Sequence, residues 1–136
     1  MSEVPDGLPP GAESVTRGGF NLHAGPVWRL APDGEVRRFA LVVVDKHMNS
    51  SGSVHGGLIM TFADVAMSQT ARAVTGAPTT STVSMTCDFV GPGKLGDVLE
   101  ARVRLTRRTR TMVFLLADVV AGERAIAVAT GLWKTA

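Results

Sequence analysis

Residues 55–76 read HGGLIMTFADVAMSQTARAVTG, and the fold turns on this stretch. It contains no proline, and Gly76 followed by Pro78 supplies a stop. About five turns of helix fit between those ends. Leu58, Ile59, Phe62, Val65, Met67 and Val74 do not keep to one stripe, so the helix is apolar nearly all round. A helix of that kind is buried. In one small domain its cover has to be a sheet wrapped around it.

The flanking sequence supplies that sheet. Thr80, Thr82, Ser84, Thr86 and Asp88 alternate with Val83, Met85, Cys87 and Phe89, a period of two that predicts a strand ending before Gly91-Pro92-Gly93. Val98 to Thr106 and Thr111 to Val120 read as two more strands around a basic turn at Arg107 to Arg110, and Arg124 to Trp133 as the last. Upstream, Phe20 to Leu30 and Glu35 to Val44 read as a hairpin joined at Ala31-Pro32-Asp33-Gly34. The polar run Asp45 to Val54 is a loop leading into the helix. Residues 1–17 are rich in Pro, Gly, Ser and Glu without periodicity, which predicts a flexible tail before a folded domain over 18–136. The order strand, strand, helix, four strands has no βαβ repetition. The expected class is α+β, an antiparallel sheet of five to six strands around one long central helix.

Composition narrows the function classes. A chain of 136 residues is one domain's worth, and 45% hydrophobic against 19% charged residues excludes disorder as its general state. With a mean hydropathy of +0.19 it has surplus apolar surface, which an oligomer would use up. The stretch Leu58 to Met67 is too short, and too interrupted by Thr61 and Asp64, to span a bilayer. Met1 to Pro10 carries acids and prolines rather than a basic-then-apolar leader, so the expected location is cytoplasmic. A single cysteine, Cys87, makes no internal disulfide, and three scattered histidines give no metal-ligand spacing, so no metal is expected. Eleven arginines invite a nucleic-acid reading, and Arg102, Arg104, Arg107, Arg108 and Arg110 fall within nine residues. No aromatic residue lies among them to stack on bases, so a solvated strand face or an anionic small ligand accounts for them better.

Two features carry candidate chemistry. Asp64 sits in the middle of a helix expected to be buried, where an unpaired carboxylate costs several kcal/mol or takes up a proton. Either Thr61 and Ser68, on the same face one turn away, tie it down as a structural group, or it acts as a base or nucleophile in an apolar cleft. The second feature is the helix start. Gly56 and Gly57 in the first turn each cost up to about 1 kcal/mol relative to alanine, and are explained if something approaches the backbone closely. The free N–H groups there can polarise a carbonyl or hold an anion.

Asn49, His55-Gly56-Gly57, Asp64 and Thr82, with the strand ending Phe89-Val90-Gly91-Pro92, together resemble the hotdog-fold acyl-CoA thioesterases, in particular the phenylacetate-degradation type. The resemblance covers residues 18–136 and is most specific between Asn49 and Asp64. It implies that Asp64 is the catalytic carboxylate, a general base or a nucleophile, and that the Gly56 N–H polarises the thioester carbonyl. Asn49 would position the water or the carbonyl, His55 would support as a donor, and Thr82 would hold the water. Ser68 matches a hydroxyl position used in some related thioesterases, and Arg108 and Arg110 become candidates for the phosphates of coenzyme A. Coenzyme A is then part of the substrate, and no cofactor is expected. Two alternatives stay open on the same fold: a hydratase or dehydratase with His55 as second acid/base group, and a non-catalytic acyl-CoA sensor.

Helix geometry adds an expectation about assembly. Gly56 and Asp64 are eight residues apart, which is about 12 Å along a helix axis. Groups acting on one carbonyl must approach it within about 3 Å. Both can act only if they come from different subunits, with the helices antiparallel across a two-fold axis. The expected state is a homodimer sharing its sites, and the resemblance implies a further pairing into a tetramer.

Overall fold

The computed structural model describes residues 3–135. Its elements, in chain order, are β1 (Glu13–Ser14), α1 (Gly19–Ala24), β2 (Trp28–Arg29), β3 (Arg37–Val42), α2 (Gly56–Thr75), β4 (Ser81–Phe89), β5 (Val98–Arg108), β6 (Met112–Ala121) and β7 (Arg124–Lys134). One sheet runs in the order β1-β2-β3-β5-β6-β7-β4, and every neighbouring pair is antiparallel.

The helix forms where the apolar run predicts it. His55 caps its start, and Gly76 ends it in the left-handed region (φ 72°), a conformation that favours glycine. α2 touches β3, β4, β5, β6 and β7. Five strands at about 4.8 Å spacing span about 19 Å, and a helix is only about 10 Å wide, so the sheet must bend around it. Phe62, Ala63, Ala66 and Met67 are fully buried against Leu99, Val103, Leu115, Ile126 and Trp133. Along β5 the alternation is clean: Leu99, Ala101 and Val103 face the core while Arg102 and Arg104 face out. Each large core side chain contributes about 1.5–3 kcal/mol by leaving water.

Three expectations are corrected. The segment expected as one strand from Phe20 to Leu30 opens with α1, and only Trp28–Arg29 joins the sheet. Gly25 and Pro26 separate the two, and proline has no N–H to give a ladder. The expected boundary at residue 18 falls inside the fold. Ala12 and Thr16 are buried, the Val15 N–H donates to the Val27 carbonyl (2.9 Å), and Thr16 Oγ1 accepts from the Val27 N–H (3.3 Å). A two-residue strand such as β1 is too short to show a period. The strands therefore number seven rather than five to six, the additional ones being two-residue pieces at one edge.

His47, in the loop before α2, fastens α1 to the body. The Val44 N–H donates to His47 Nδ1 (3.0 Å), and Nε2–H donates to the Ala24 carbonyl (2.6 Å). The neutral ring with its proton on Nε2 satisfies both bonds, whereas a proton on Nδ1 would break the first. Burial holds the imidazole below its ordinary value of 6.5; the Ala24 carbonyl opposes that shift, and neighbouring Lys46 reinforces it. The unfolded chain therefore takes up this proton first. Stability is complete above about pH 6.5 and declines as the pH falls through the lowered folded-state value. Urea unfolding measured between pH 7.5 and 4.5 should show this loss in the wild type and a reduced loss in His47→Gln. The same pH dependence in both proteins would refute it.

Candidate active site

At the N-terminus of α2 the first four N–H groups lack partners within the helix, so each has to be traced. The N–H of the cap residue His55 donates to the His47 carbonyl (2.9 Å), that of Gly57 to His55 Nδ1 (2.9 Å) and that of Leu58 to the His55 carbonyl (3.0 Å). The Gly56 N–H has no acceptor among the described residues. One donor is left, at the positive end of the helix. His55 is thus the cap that consumes its neighbours. The close approach that the glycines permit is made by the protein itself. A Cβ on Gly56 would sit 3.2 Å from the Phe89 ring, and one on Gly57 3.0 Å from His55 Nδ1. Asn49 is also occupied locally: Oδ1 accepts from the Ser51 and Ser53 N–H groups (2.8 and 3.1 Å), and Nδ2 donates to Ser53 Oγ (3.0 Å). Its amide shapes the loop that delivers His55 and Gly56.

Asp64 is half-buried, and its two oxygens have different surroundings. Oδ1 accepts from Thr82 Oγ1 (2.7 Å) and, more weakly, from Ser68 Oγ (3.5 Å). Ser68 Oγ in turn accepts from Trp133 Nε1 (2.9 Å), and Trp133 lies directly opposite Thr82 across β7 and β4. The register of β4 slips between Thr82 and Ser84, an irregularity of the kind that re-aims a side chain. Oδ2 has no partner among the described residues. Of the two candidate ties, Ser68 is confirmed and Thr61 is not, since the Thr61 hydroxyl donates to the Gly57 carbonyl (2.8 Å). The carboxylate is held by one oxygen and presents the other.

The sequence-predicted residues that line clefts are divided among three of them in a single chain. Asp64, Ser68 and Thr82 line a cleft of about 350 Å³ with Arg72 and Pro78. Gly56 lines another, of about 420 Å³, with Phe89, Pro92 and Gly93. His55 and Gly57 border a third, of about 470 Å³, beside Phe20, Leu58 and Thr61. Arg108 and Arg110 line none of these. Arg108 Nη1 donates to the Val74 carbonyl (2.9 Å) at the C-terminal end of α2, where a cation meets the negative end of the helix. Trp133 was missed in the sequence, where it reads only as the end of a strand. A buried indole N–H needs an acceptor, and that requirement was the available signal.

Among these elements β4 is the sheet edge. Its second side has no partner strand among the described residues, and Val83, Phe89 and Val90 are each more than half exposed along or just beyond it. The model of the thioesterase superfamily matches residues 51–128. A Pseudomonas aeruginosa protein, PA0474, named as a candidate esterase, is 38% identical over 96 residues, covering 69% of this chain and 71% of its own. Among solved structures, the Escherichia coli PaaI protein from the phenylacetic acid degradation operon superposes with a TM-score of 0.76 at 20% identity, over 84% of this chain and 82% of that one. A protein from Streptococcus pneumoniae, named a hypothetical thioesterase and solved with coenzyme A, gives a TM-score of 0.75 at 22% identity, over 85% and 90% of the two chains. These neighbours share the hotdog arrangement of sheet and central helix. With its family match spanning more than half its length, this chain belongs to the thioesterase superfamily and is a thioester hydrolase.

Proposed function

We propose that the protein hydrolyses acyl-CoA thioesters to a free acid and coenzyme A, in sites each built from two copies of the chain. One observation carries this reading: the unpaired Gly56 N–H and the unpaired Asp64 Oδ2 are the groups such a reaction needs, and they stand in separate clefts. Both clefts adjoin β4, the exposed apolar edge on which a second copy could pair. The Streptococcus pneumoniae neighbour's coenzyme A supports the choice of substrate.

The chemistry follows from the groups. Asp64 Oδ2 takes a proton from water, and the water oxygen bonds to the thioester carbon while the carbonyl π pair moves onto oxygen. The Gly56 N–H of the other copy donates to that oxyanion. Collapse re-forms the carbonyl and breaks the carbon–sulfur bond, and the thiolate of coenzyme A leaves with the proton returned through Asp64 or solvent. A thiolate leaves without a strong general acid, so one base and one oxyanion donor suffice, each worth orders of magnitude in rate. Thr82 and Ser68 fix the carboxylate, and His55 and Asn49 fix the Gly56 turn. In the nucleophilic variant Asp64 attacks directly and water hydrolyses the resulting anhydride. Single-turnover labelling with ¹⁸O water tests the second, because label in the enzyme carboxylate requires water to attack the Asp64 carbonyl of the anhydride.

Asp64→Asn keeps an oxygen to accept from Thr82, so it should fold with normal stability and lose about 10²–10⁴-fold in kcat on acyl-CoA substrates. Retained binding with no turnover in the wild type would identify a sensor instead. Thr82→Val should cost less, because it releases Oδ1 without removing the base. The shared site is tested by co-refolding Asp64→Asn with Asn49→Ala. Random pairing makes half the dimers mixed, each with one intact site, so about a quarter of wild-type activity should return. No recovery despite verified exchange of subunits, or a fully active monomer, would refute it.

A further inference from the structure

The Asp64 cleft does not end at Asp64. Asn21, Gln69 and Arg72 line it, and the same three residues line a larger polar cleft of about 530 Å³ beside it. The far wall of that second cleft is the N-terminal segment, with Ser14 and Arg17, and β2 contributes Arg29. The segment is not loosely placed. It is pinned by β1 pairing to β2 and by the two bonds between Val15–Thr16 and Val27. Arg29 is neutralised by Glu13 (3.0 Å), but neither Arg17 nor Arg72 has an acidic partner among the described residues. Both are exposed. A cleft with two uncommitted guanidinium groups, continuous with the proposed reaction site, fits an anion.

We infer that Arg17 and Arg72 hold an anionic group of the thioester substrate, a phosphate or a carboxylate remote from the reacting carbon. This rests on the reading of Asp64 as the catalytic carboxylate, and it assigns the anion-binding role to Arg17 and Arg72 rather than to Arg108 and Arg110. Arg72 lies eight residues beyond Asp64, about 12 Å along the helix. A pantetheine arm, equivalent to roughly four residues of extended backbone, reaches up to about 14 Å. The distance therefore suits the phosphates of coenzyme A. A dicarboxylic acyl chain of comparable length would suit it as well.

The test compares wild type with Arg72→Gln and with the double variant Arg17→Gln/Arg72→Gln on four substrates: hexanoyl-CoA, adipyl-CoA and the same two acyl groups on phosphate-free pantetheine. If the arginines meet phosphates, kcat/KM for both CoA thioesters should fall at least 10-fold, mainly through KM, and the preference for CoA over pantetheine should collapse. If they meet an acyl carboxylate, the preference for adipyl over hexanoyl should collapse on both carriers. Unchanged preferences on all four substrates would overturn the inference. Should the wild type turn over none of them, the catalytic reading fails separately, and calorimetric binding of coenzyme A and of adipate decides. Binding weakened at least 10-fold in the double variant upholds the arginine site, and equal binding refutes it.

Discussion

Burying α2 within a bent sheet fixes the separation of its two polar stations, because a packed helix can neither shorten nor fold back on itself. The Gly56 N–H and the Asp64 carboxylate therefore keep their spacing of about 12 Å whatever the loops around them do. Everything that could bring them nearer to a common substrate must come from outside the chain. On the proposed reading, the apolar core that makes the fold stable also leaves the two polar stations of a single copy too far apart to share one carbonyl. The exposed edge at β4, beside both clefts, is where that reading puts the second copy.

The sequence was most legible where burial is strongest. Period two over β5 to β7 and an apolar run without proline at α2 gave those four elements nearly to the residue, since core packing selects side chains at every turn; β4 was as legible by its alternation although none of its residues is buried in a single copy. Legibility failed at the N-terminal side, where α1 and the two-residue strands are held by isolated contacts. The buried Thr16 hydroxyl, the His47 ring and a small cluster of Ala12, Trp28 and Leu30 do that work, and none of them sets up a period along the chain. The local contact of Arg108 was illegible for a related reason. Its charge is visible in the sequence, but its acceptor, the Val74 carbonyl, lies 34 residues away and is a backbone group that no side-chain pattern reveals.

At the candidate site the sequence named residues but not their partition. The hydrogen bonds of Asp64 bear on the structural reading alone: Oδ1 is tied, while Oδ2 has no partner among the described residues. The glycines at 56 and 57 invited a ligand, yet Phe89 and His55 already make the close approach. What remains available at that end is one backbone N–H, recognisable only after every neighbouring donor has been assigned. Accounting of this kind needs coordinates, because the acceptors are a ring nitrogen and a carbonyl of the same residue.

The hydrogen-bond circuit also links the carboxylate to the sheet edge. Asp64 Oδ1 is held by Thr82 on β4, and the indole N–H that orients Ser68 comes from Trp133, the residue paired with Thr82 on β7. An exposed hydroxyl on an unpaired edge strand is a weak anchor by itself, since water competes for it and the edge is free to fray. Pairing β4 with a second copy would remove that freedom and exclude the competing water. The contact that brings a partner's Gly56 to the cleft would then also stiffen the carboxylate it works with. Under the proposed shared site, assembly would be coupled to the geometry of Asp64, and a separated copy would leave that cleft without a second copy's Gly56 N–H and hold Asp64 less firmly as well.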